Sequence, residues 1–160
     1  MDPRYARNVP ALSEAECELL RRKRVLVVGC GGLGGHLIDM LARIGIGSLR
    51  VVDGDAFEPS NLNRQLLSER VRRVNPNVAV HAVGEFLTEE NAAALLTECD
   101  AVLDGLDNIQ SRQILANACE RAGIPLIYGA VNGWVAQAAI SCPGDHLIDL
   151  LYPDGAALKN

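Results

Sequence analysis

The feature that most constrains this chain is a glycine-rich loop placed directly after a strand-like run. Residues 25–28 are valine and leucine without interruption, which is typical of a strand buried on both faces of a sheet. The loop that follows contains Gly29, Gly31, Gly32 and Gly34 and matches the pattern Gly-x-Gly-x-x-Gly. Glycines here allow a tight turn, close approach of a phosphate and close helix–strand packing. The pattern therefore predicts a βαβ unit that binds an adenine nucleotide.

The rest of the chain alternates strand-like runs with helical patterns, which indicates the α/β class. Strands are predicted at residues 25–28, 49–52, 78–83, 101–103, 125–128 and 135–140. Short connections between such elements favour a Rossmann-like open, mostly parallel sheet with helices on both faces. A capping-box pattern that starts at Ser13 adds a short helix ahead of the sheet. We expect a short N-terminal helical arm at residues 1–22 and a nucleotide-binding domain at residues 23–160.

The helix after the glycine loop is predicted to have one apolar face. Apolar residues recur there at helical spacing, at Leu33, Leu37, Met40, Leu41 and Ile44. Gly45 is placed to end this helix in a left-handed conformation. Further along, residues 61–67 are predicted to form a polar loop and residues 68–74 a short helix.

The composition argues against several other classes of protein. A net charge of −5 over 160 residues gives no basic field for a nucleic-acid backbone, so we expect no nucleic-acid partner. The basic runs at residues 21–24 and 70–73 are interpreted as solvated helix faces or ends. Five cysteines without a Cys-x-x-Cys pair fit a reducing compartment. With no signal peptide and no membrane-spanning run, we expect a cytoplasmic protein with no membrane partner.

Charged side chains are predicted to gather at the carboxyl edge of the sheet, where open α/β folds bind ligands. Asp53 ends the second strand, where ribose recognition is expected, and Asp107 follows a later strand at the same edge. Arg64, beyond the second strand, offers a planar fork of donors suited to a polyphosphate. Carboxylates beside an anionic nucleotide need a bridging cation, which suggests Mg²⁺. None of the three histidines has the spacing of a ligand or a proton-transfer group, which disfavours a dehydrogenase.

Several motifs together carry a resemblance to a known family. They lie, in the family's order and over nearly the whole chain, at residues 4–7, 24–34, 52–55, 60–65, 104–108 and 125–131. On these motifs the sequence resembles the ThiF/MoeB/HesA family, the bacterial relatives of ubiquitin-activating enzymes. The Asn-Leu-x-Arg-Gln motif at residues 61–65 and the Asp-Asn motif at residues 107–108 are much more specific than the glycine loop.

The resemblance implies an adenylyltransferase. Such an enzyme uses ATP and Mg²⁺ to adenylate the C-terminal glycine of a ubiquitin-like sulfur-carrier protein ending in Gly-Gly, and releases pyrophosphate. Family members are dimers in which an arginine near the N-terminus reaches the partner's ATP. The resemblance therefore implies a homodimer in which Arg7 has this role, and it makes Arg7, Arg64 and Asp107 the candidate catalytic residues.

The candidate nucleotide contacts follow from the same motifs. Asp53 would hold the ribose, and Asp107 would bind Mg²⁺. Asn61, Arg64 and Gln65 would contact the phosphates. The predicted nucleotide-binding residues are Gly29, Gly31, Gly32, Gly34, Asp53, Asp55, Asn61, Arg64, Gln65 and Asn108.

The sequence also departs from the family's pattern. Relatives carry a longer segment after the Asn-Leu-x-Arg-Gln motif, with a lysine that contacts ATP, but no lysine lies between Lys23 and Lys159 here. We expect the adenylation domain to be incomplete after Leu67 and at its C-terminus; alternatively, the lysine is lost and catalysis is impaired. Leu147 and Leu150 stand where many relatives have a zinc-binding Cys-x-x-Cys pair, so no zinc is expected. No cysteine matches the family's transfer cysteine, which supports adenylation and not a thioester step.

Other functions stay open at this point. One is ATP-driven activation of a small or tRNA-attached carboxylate, as in threonylcarbamoyl-adenosine dehydratases. Another is a nucleotide-binding partner subunit without catalysis, which the missing lysine favours. An NAD(P)-binding protein is a further alternative. The sequence does not distinguish the thiamine, molybdopterin, cysteine or other sulfur pathways.

Overall fold

Strands and helices alternate along the chain in the order that the hydrophobic runs predict. A computed structural model describes residues 2–9, 11–54 and 63–153, with residues 63–68 described by their backbone alone. The strands are β1 (Arg24–Val28), β2 (Ser48–Val52), β3 (Ala79–Val83), β4 (Ala101–Asp104), β5 (Leu126–Asn132) and β6 (Val135–Ser141). The helices are a 3-10 helix (Pro3–Asn8), α1 (Glu14–Leu20), α2 (Gly32–Ile44), α3 (Asn63–Val74), α4 (Glu89–Leu95), α5 (Ile109–Ala122) and α6 (Leu147–Leu151).

The strands form one six-stranded sheet in the order β3-β2-β1-β4-β5-β6. The first five are parallel, and β6 pairs antiparallel with β5 through a turn at Gly133. The predicted α/β class, with a mostly parallel Rossmann-like sheet, is confirmed. The chain moves from β1 to β2 and β3 in one direction and then to β4 and β5 in the other. The crevice between the carboxyl ends of β1 and β4 is therefore the switch point at which such sheets bind ligands.

Helices cover both faces of the sheet, and each face has its own apolar core. Val25 and Val27 of β1 pack in the cluster that includes α2 and α3, whereas Leu26 and Val28 pack in the cluster with α4, α5 and α6. A central parallel strand that is buried on both faces carries apolar side chains on both of them. This explains the uninterrupted valine and leucine run of β1.

The inward face of α2 differs from the predicted one. Gly34, Ile38 and Ala42 are buried, whereas Met40 and Ile44 are exposed. The helix lies so close to the sheet that a Cβ at position 34 would come within 1.8 Å of a backbone oxygen of the glycine loop. The row nearest the sheet is thus formed by Gly34, Ile38 and Ala42, and the prediction from hydrophobic periodicity was wrong at Met40 and Ile44.

The segment before β3 also differs from its prediction. Helix α3 begins at Asn63, so the predicted loop at residues 61–67 is helical from that residue onward. Val71 of this helix is 1% exposed and packs in the cluster with α2. The backbone of α3 therefore starts within the Asn-Leu-x-Arg-Gln motif.

The N-terminal 3-10 helix docks at the C-terminal end of α2. Its Tyr5 is buried, and the Tyr5 hydroxyl accepts a 2.7 Å hydrogen bond from Nδ2 of Asn75. The same Nδ2 donates to the carbonyl oxygen of Ala42 at 2.9 Å. Gly45 ends α2 with a φ of 95°, as predicted, and a Cβ there would meet the Tyr5 ring at 2.6 Å.

Candidate nucleotide-binding site

The glycine loop contains two kinds of glycine, which serve different purposes. Gly29 has a φ of 85°, and a Cβ on it would lie 2.6 Å from the carbonyl oxygen of Gly105; Gly34 is equally crowded, by Gly29 itself. These two positions therefore hold the loop, α2 and the end of β4 together. By contrast, a Cβ on Gly31 or Gly32 would meet no atom within 4 Å. The open side of the loop can thus admit a ligand against the backbone.

The open glycines coincide with the start of α2. Gly31 is the N-cap and offers no side-chain hydrogen bond, because it has no side chain. The amides of the first helical turn have no partner inside their own helix, and the helix dipole makes this end positive. A helix N-terminus of this kind is suited to bind a phosphate group. The loop therefore fits the anionic part of a nucleotide.

A cavity of about 810 Å³ lies over this loop at the switch point of the sheet. Its walls come from the glycine loop, the end of β2, the segment after β4 and the β5–β6 hairpin. The volume is within the range of roughly 300–1,000 Å³ that is usual for ligand pockets. Three of the predicted glycines line this cavity, whereas Gly34 does not. Asp53, Asp107 and Asn108, also predicted from the sequence, line it as well.

Asp53 joins the end of β2 to the glycine loop. Its Oδ2 accepts a 2.8 Å hydrogen bond from the backbone amide of Cys30, and the side chain lies on the cavity wall. The structure therefore places Asp53 at the end of β2, on the wall of the cavity. Direct contact with a ribose stays a prediction.

Asp107 and Asn108 lie at the opposite wall, before α5. Asp107 is exposed to the cavity, while Asn108 is the N-cap of α5 and accepts a 2.8 Å hydrogen bond from the Ser111 amide. The Asn108 amide nitrogen also lies 3.4 Å from Oδ1 of Asp107. Asn108 thus orders the start of α5 and the neighbouring carboxylate.

The remaining predicted site residues are placed less completely. Asp55 and Asn61 lie outside the described residues. Arg64 and Gln65 fall in the first turn of α3, where the backbone alone is described. Their contacts with phosphate stay predictions.

Arg7 is remote from the cavity of its own chain. It is exposed on the 3-10 helix, whose Asn8 donates a 3.2 Å hydrogen bond to the carbonyl oxygen of Ile44 at the far end of α2. The 13 residues of α2 separate that end from the glycine loop by about 20 Å. Arg7 therefore cannot act on a nucleotide held in its own chain in this conformation.

A buried ion pair beneath the cavity was not predicted from the sequence. Asp104 is 0% exposed and Arg112 is 6% exposed, and their Oδ2 and Nη1 atoms lie 3.0 Å apart. Burial raises the pKa of Asp104 to about 6, although the Arg112 charge opposes the shift. The Arg112 guanidinium also lies 4.9 Å from the centre of the Tyr128 ring. An arginine in line with the apolar inward residues Leu115, Ala118 and Cys119 of α5 was the sequence signal for this group.

Residues of both basic runs form ion pairs in the structure. Lys23 and Arg24 pair with Asp100 and Glu98, and Arg70 pairs with a carboxylate of α2. Such pairs support the interpretation of these runs as solvated surface.

No group of three metal-binding side chains is found among the described residues. In the same residues, no helix has the length and apolar character needed to span a bilayer.

Comparison with known proteins agrees with the motifs. The ThiF family matches residues 5–153. The chain is 34% identical to the SAMP-activating enzyme E1 of Haloferax volcanii, covering 94% of this chain and 62% of that protein. It is 35% identical to the sulfur carrier protein adenylyltransferase of Thermus thermophilus, covering 86% of this chain and 56% of that protein. The chain thus spans about three fifths of the length of these relatives.

The fold of this chain is also similar to that of a solved structure. E. coli tRNA N6-threonylcarbamoyladenosine dehydratase, TcdA, in complex with ATP, superimposes with a TM-score of 0.76 at 28% identity. The match covers 82% of this chain and 61% of that one. The family resemblance predicted from the motifs is confirmed: the chain belongs to the ThiF family.

Proposed function

We propose that this chain binds ATP in the cavity at the switch point and adenylates a carboxylate, with release of pyrophosphate. The observation that carries the proposal is the cavity itself, which joins an open helix N-terminus to the carboxylates of Asp53 and Asp107. Relatives at 34–35% identity are named as enzymes that activate SAMP or adenylate a sulfur carrier protein. The proposed acceptor is accordingly the C-terminal glycine of a ubiquitin-like sulfur carrier ending in Gly-Gly.

The chemistry requires positioning and positive charge more than proton transfer. A C-terminal carboxylate has a pKa near 3.5 and is ionised at pH 7, so the reaction needs no general base. The obstacle is to bring this anion to the α-phosphate and to stabilise charge as pyrophosphate leaves. The open amides at Gly31 and Gly32 would orient the phosphates, and Asp53 would orient the ribose. The Arg64 side chain would supply the charge that the amides lack.

Asp107 fits the role of a magnesium ligand. Mg²⁺ commonly binds through one or two carboxylates together with substrate phosphates, so a full cage of protein ligands is not required. Asp107 is exposed and its residue lines the cavity, as the glycine loop does. When bound there, the ion would neutralise phosphate charge. Asn108, 3.4 Å from the same carboxylate, would keep it oriented.

The proposal is tested by ATP–pyrophosphate exchange in the presence of a carrier. Replacement of Arg64 by alanine should cost on the order of 3 kcal/mol of barrier, or about 100-fold in rate, by analogy with lost oxyanion donors. Arg72→Ala, at an exposed position on the same helix, is the matched control and should leave exchange unchanged. Asp107→Ala should lower exchange and weaken its dependence on Mg²⁺. Unchanged exchange in Arg64→Ala would contradict the assignment.

The β5–β6 hairpin favours a protein acceptor over an RNA. Residues 132–142 contain no charged side chain, and the hairpin exposes Trp134 and Ile140. Val131 and Val135 are also exposed and line the cavity, so the apolar surface continues into the site. An RNA would require lysine or arginine for its phosphates. An apolar rim is suited to a folded carrier whose tail enters the cavity.

A second candidate function has support from the fold. The structural likeness to a tRNA dehydratase makes a tRNA-attached carboxylate the alternative acceptor. A Gly-Gly-ended carrier should stimulate exchange, and the same carrier without its tail should not. Exchange that responds to modified tRNA and ignores the carrier would favour the alternative. ATP binding without AMP formation under either condition would identify a non-catalytic subunit.

The distance between Arg7 and the cavity supports a dimer in which subunits complete each other's sites. Arg7 is exposed at the end of α2 that is remote from the glycine loop. Only a second chain could bring such a residue to the phosphates. We propose a homodimer with Arg7 acting across the interface, in the cytoplasm as the cysteine pattern predicts.

A further inference from the structure

Beneath the candidate site, one buried arginine connects residues 104–106 to the neighbouring strand β5. Nη1 of Arg112 donates to Oδ2 of Asp104 and to the carbonyl oxygen of Gly129, both at 3.0 Å. Nη2 donates to the carbonyl oxygen of Leu106. Asp104 ends β4, Leu106 belongs to the turn that follows, and Gly129 lies in β5. The guanidinium therefore holds the end of β4, the middle of β5 and the turn between β4 and α5.

The turn held in this way leads directly to Asp107. Oδ1 of Asp104 accepts a 2.9 Å hydrogen bond from the backbone amide of Leu106, which closes the turn from within. On its other side the turn abuts the glycine loop, since a Cβ on Gly105 would lie 2.6 Å from the oxygen of Gly29. The turn is thus fixed from below by Arg112 and from the side by the nucleotide loop.

The hydrogen bonds of residue 112 require the planar shape of an arginine side chain as well as its positive charge. A buried ion pair alone is a weak source of stability, because desolvation offsets most of the attraction. Arg112 adds two carbonyl acceptors that lie in different directions, and its planar fork can reach all three partners together. The ammonium group of lysine is a single point charge and cannot match this geometry.

We propose that Arg112 is a positioning residue, whose simultaneous bonds to Asp104, Leu106 and Gly129 hold the Asp107 carboxylate at the wall of the cavity. Arg112 acts through the turn and donates its bonds to the protein itself. The proposal rests on the proposed function in one respect, namely that Asp107 contacts the metal–nucleotide complex. A shift of about 1 Å in such a group can cost on the order of 100-fold in rate.

The test compares Arg112→Lys with Arg121→Lys, a matched control at an exposed position near the end of the same helix. Amide hydrogen exchange is measured at residues 105–108, where the Leu106 amide reports the bond to Asp104. In Arg112→Lys we expect exchange there to rise about tenfold or more, with little change in β1 and β2. The control should match the wild-type chain. Wild-type protection at residues 105–108 in Arg112→Lys would overturn the proposal.

Binding of a non-hydrolysable ATP analogue gives a second readout. Its affinity is measured with Mg²⁺ and again in EDTA. In EDTA, the affinity of Arg112→Lys for the analogue should stay within about twofold of the wild-type value. With Mg²⁺ its affinity should be lower than the wild-type value by on the order of tenfold, because most of the gain from Mg²⁺ is lost. An equal loss under both conditions would overturn the positioning role. If the wild-type chain itself gains nothing from Mg²⁺, the proposed role of Asp107 fails, while the exchange measurement still decides whether Arg112 holds the turn.

A second variant covers the case in which Arg112→Lys does not fold. Asp104→Asn keeps the size of the side chain and the two carbonyl bonds of Arg112 but removes the buried charge. Raised amide exchange confined to residues 105–108 would support the proposal. Unchanged exchange, or exchange raised equally throughout the sheet, would overturn it.

Discussion

The glycines at the turn after β1 differ in what a side chain would meet. A Cβ at Gly34 would lie 1.8 Å from a backbone oxygen, whereas one at Gly31 would meet nothing within 4 Å. The sequence motif treats these positions alike. The structure separates a packing role for Gly34 from an open position at Gly31, where we propose that the nucleotide binds.

Alanine substitutions should separate these two roles. Gly34→Ala should destabilise the fold by about 3 kcal/mol, since a backbone atom must move to admit the methyl group. Gly31→Ala should change stability by less than about 0.5 kcal/mol, because its φ of −63° suits any residue. It should nevertheless lower nucleotide affinity, since its methyl group occupies the open space over the loop. Urea unfolding and nucleotide titration measure the two effects, and equal destabilisation by both variants would contradict this division.

Asp104 gives the chain a distinctive dependence of stability on pH. Burial raises its pKa to about 6 from an ordinary value of 3.8, so the folded chain takes up a proton before the unfolded chain does. This raised pKa makes the wild type gain stability relative to Asp104→Asn as the pH falls through 6. Between pH 7 and pH 5 the difference in unfolding free energy should move by about 1 kcal/mol in favour of the wild type. A constant difference over this range would show that the carboxyl is not buried as described.

At the scale of elements, a buried asparagine just after α3 connects the N-terminal 3-10 helix to the rest of the chain. Asn75 is 2% exposed and donates to both Tyr5 and Ala42. Asn75→Ala should destabilise the chain by about 2 kcal/mol, because it leaves buried acceptors unpaired at both partners. Arg73→Ala, at an exposed position near the end of α3, is the control and should stay within about 0.5 kcal/mol. Loss of protection confined to residues 3–8 would confirm that Asn75 docks the arm.

The elements also show what the sequence could and could not predict. The strands were predicted well because a buried parallel strand is a continuous apolar run, as residues 25–28 illustrate. The packing face of α2 was predicted incorrectly at Met40 because periodicity gives most weight to large residues, while the close approach of this helix to the glycine loop buries the row that begins at Gly34. The Asp104–Arg112 pair was missed because its partners come from a strand, a turn and the next strand, and such a meeting has no local pattern.

At the scale of the whole molecule, the placement of Arg7 makes a prediction about mixed subunits. If Arg7 acts across the interface, Arg7→Ala and Arg64→Ala chains should each be inactive alone. Heterodimers formed from the two would contain one complete site, so an equal mixture should recover roughly a quarter of wild-type activity. Mixing followed by ATP–pyrophosphate exchange measures this. An inactive mixture with proven subunit exchange would place both arginines in one chain's site.

The contact among Gly29, Gly34 and Gly105 limits which mutations can change this site. Backbone touches backbone there, so the wall that approaches the nucleotide and the turn that carries Asp107 form one rigid piece. A mutation that shifts either half must shift the other. The specificity for the proposed acceptor is therefore most easily redesigned at the β5–β6 hairpin. This hairpin borders the cavity but lies outside the glycine contact.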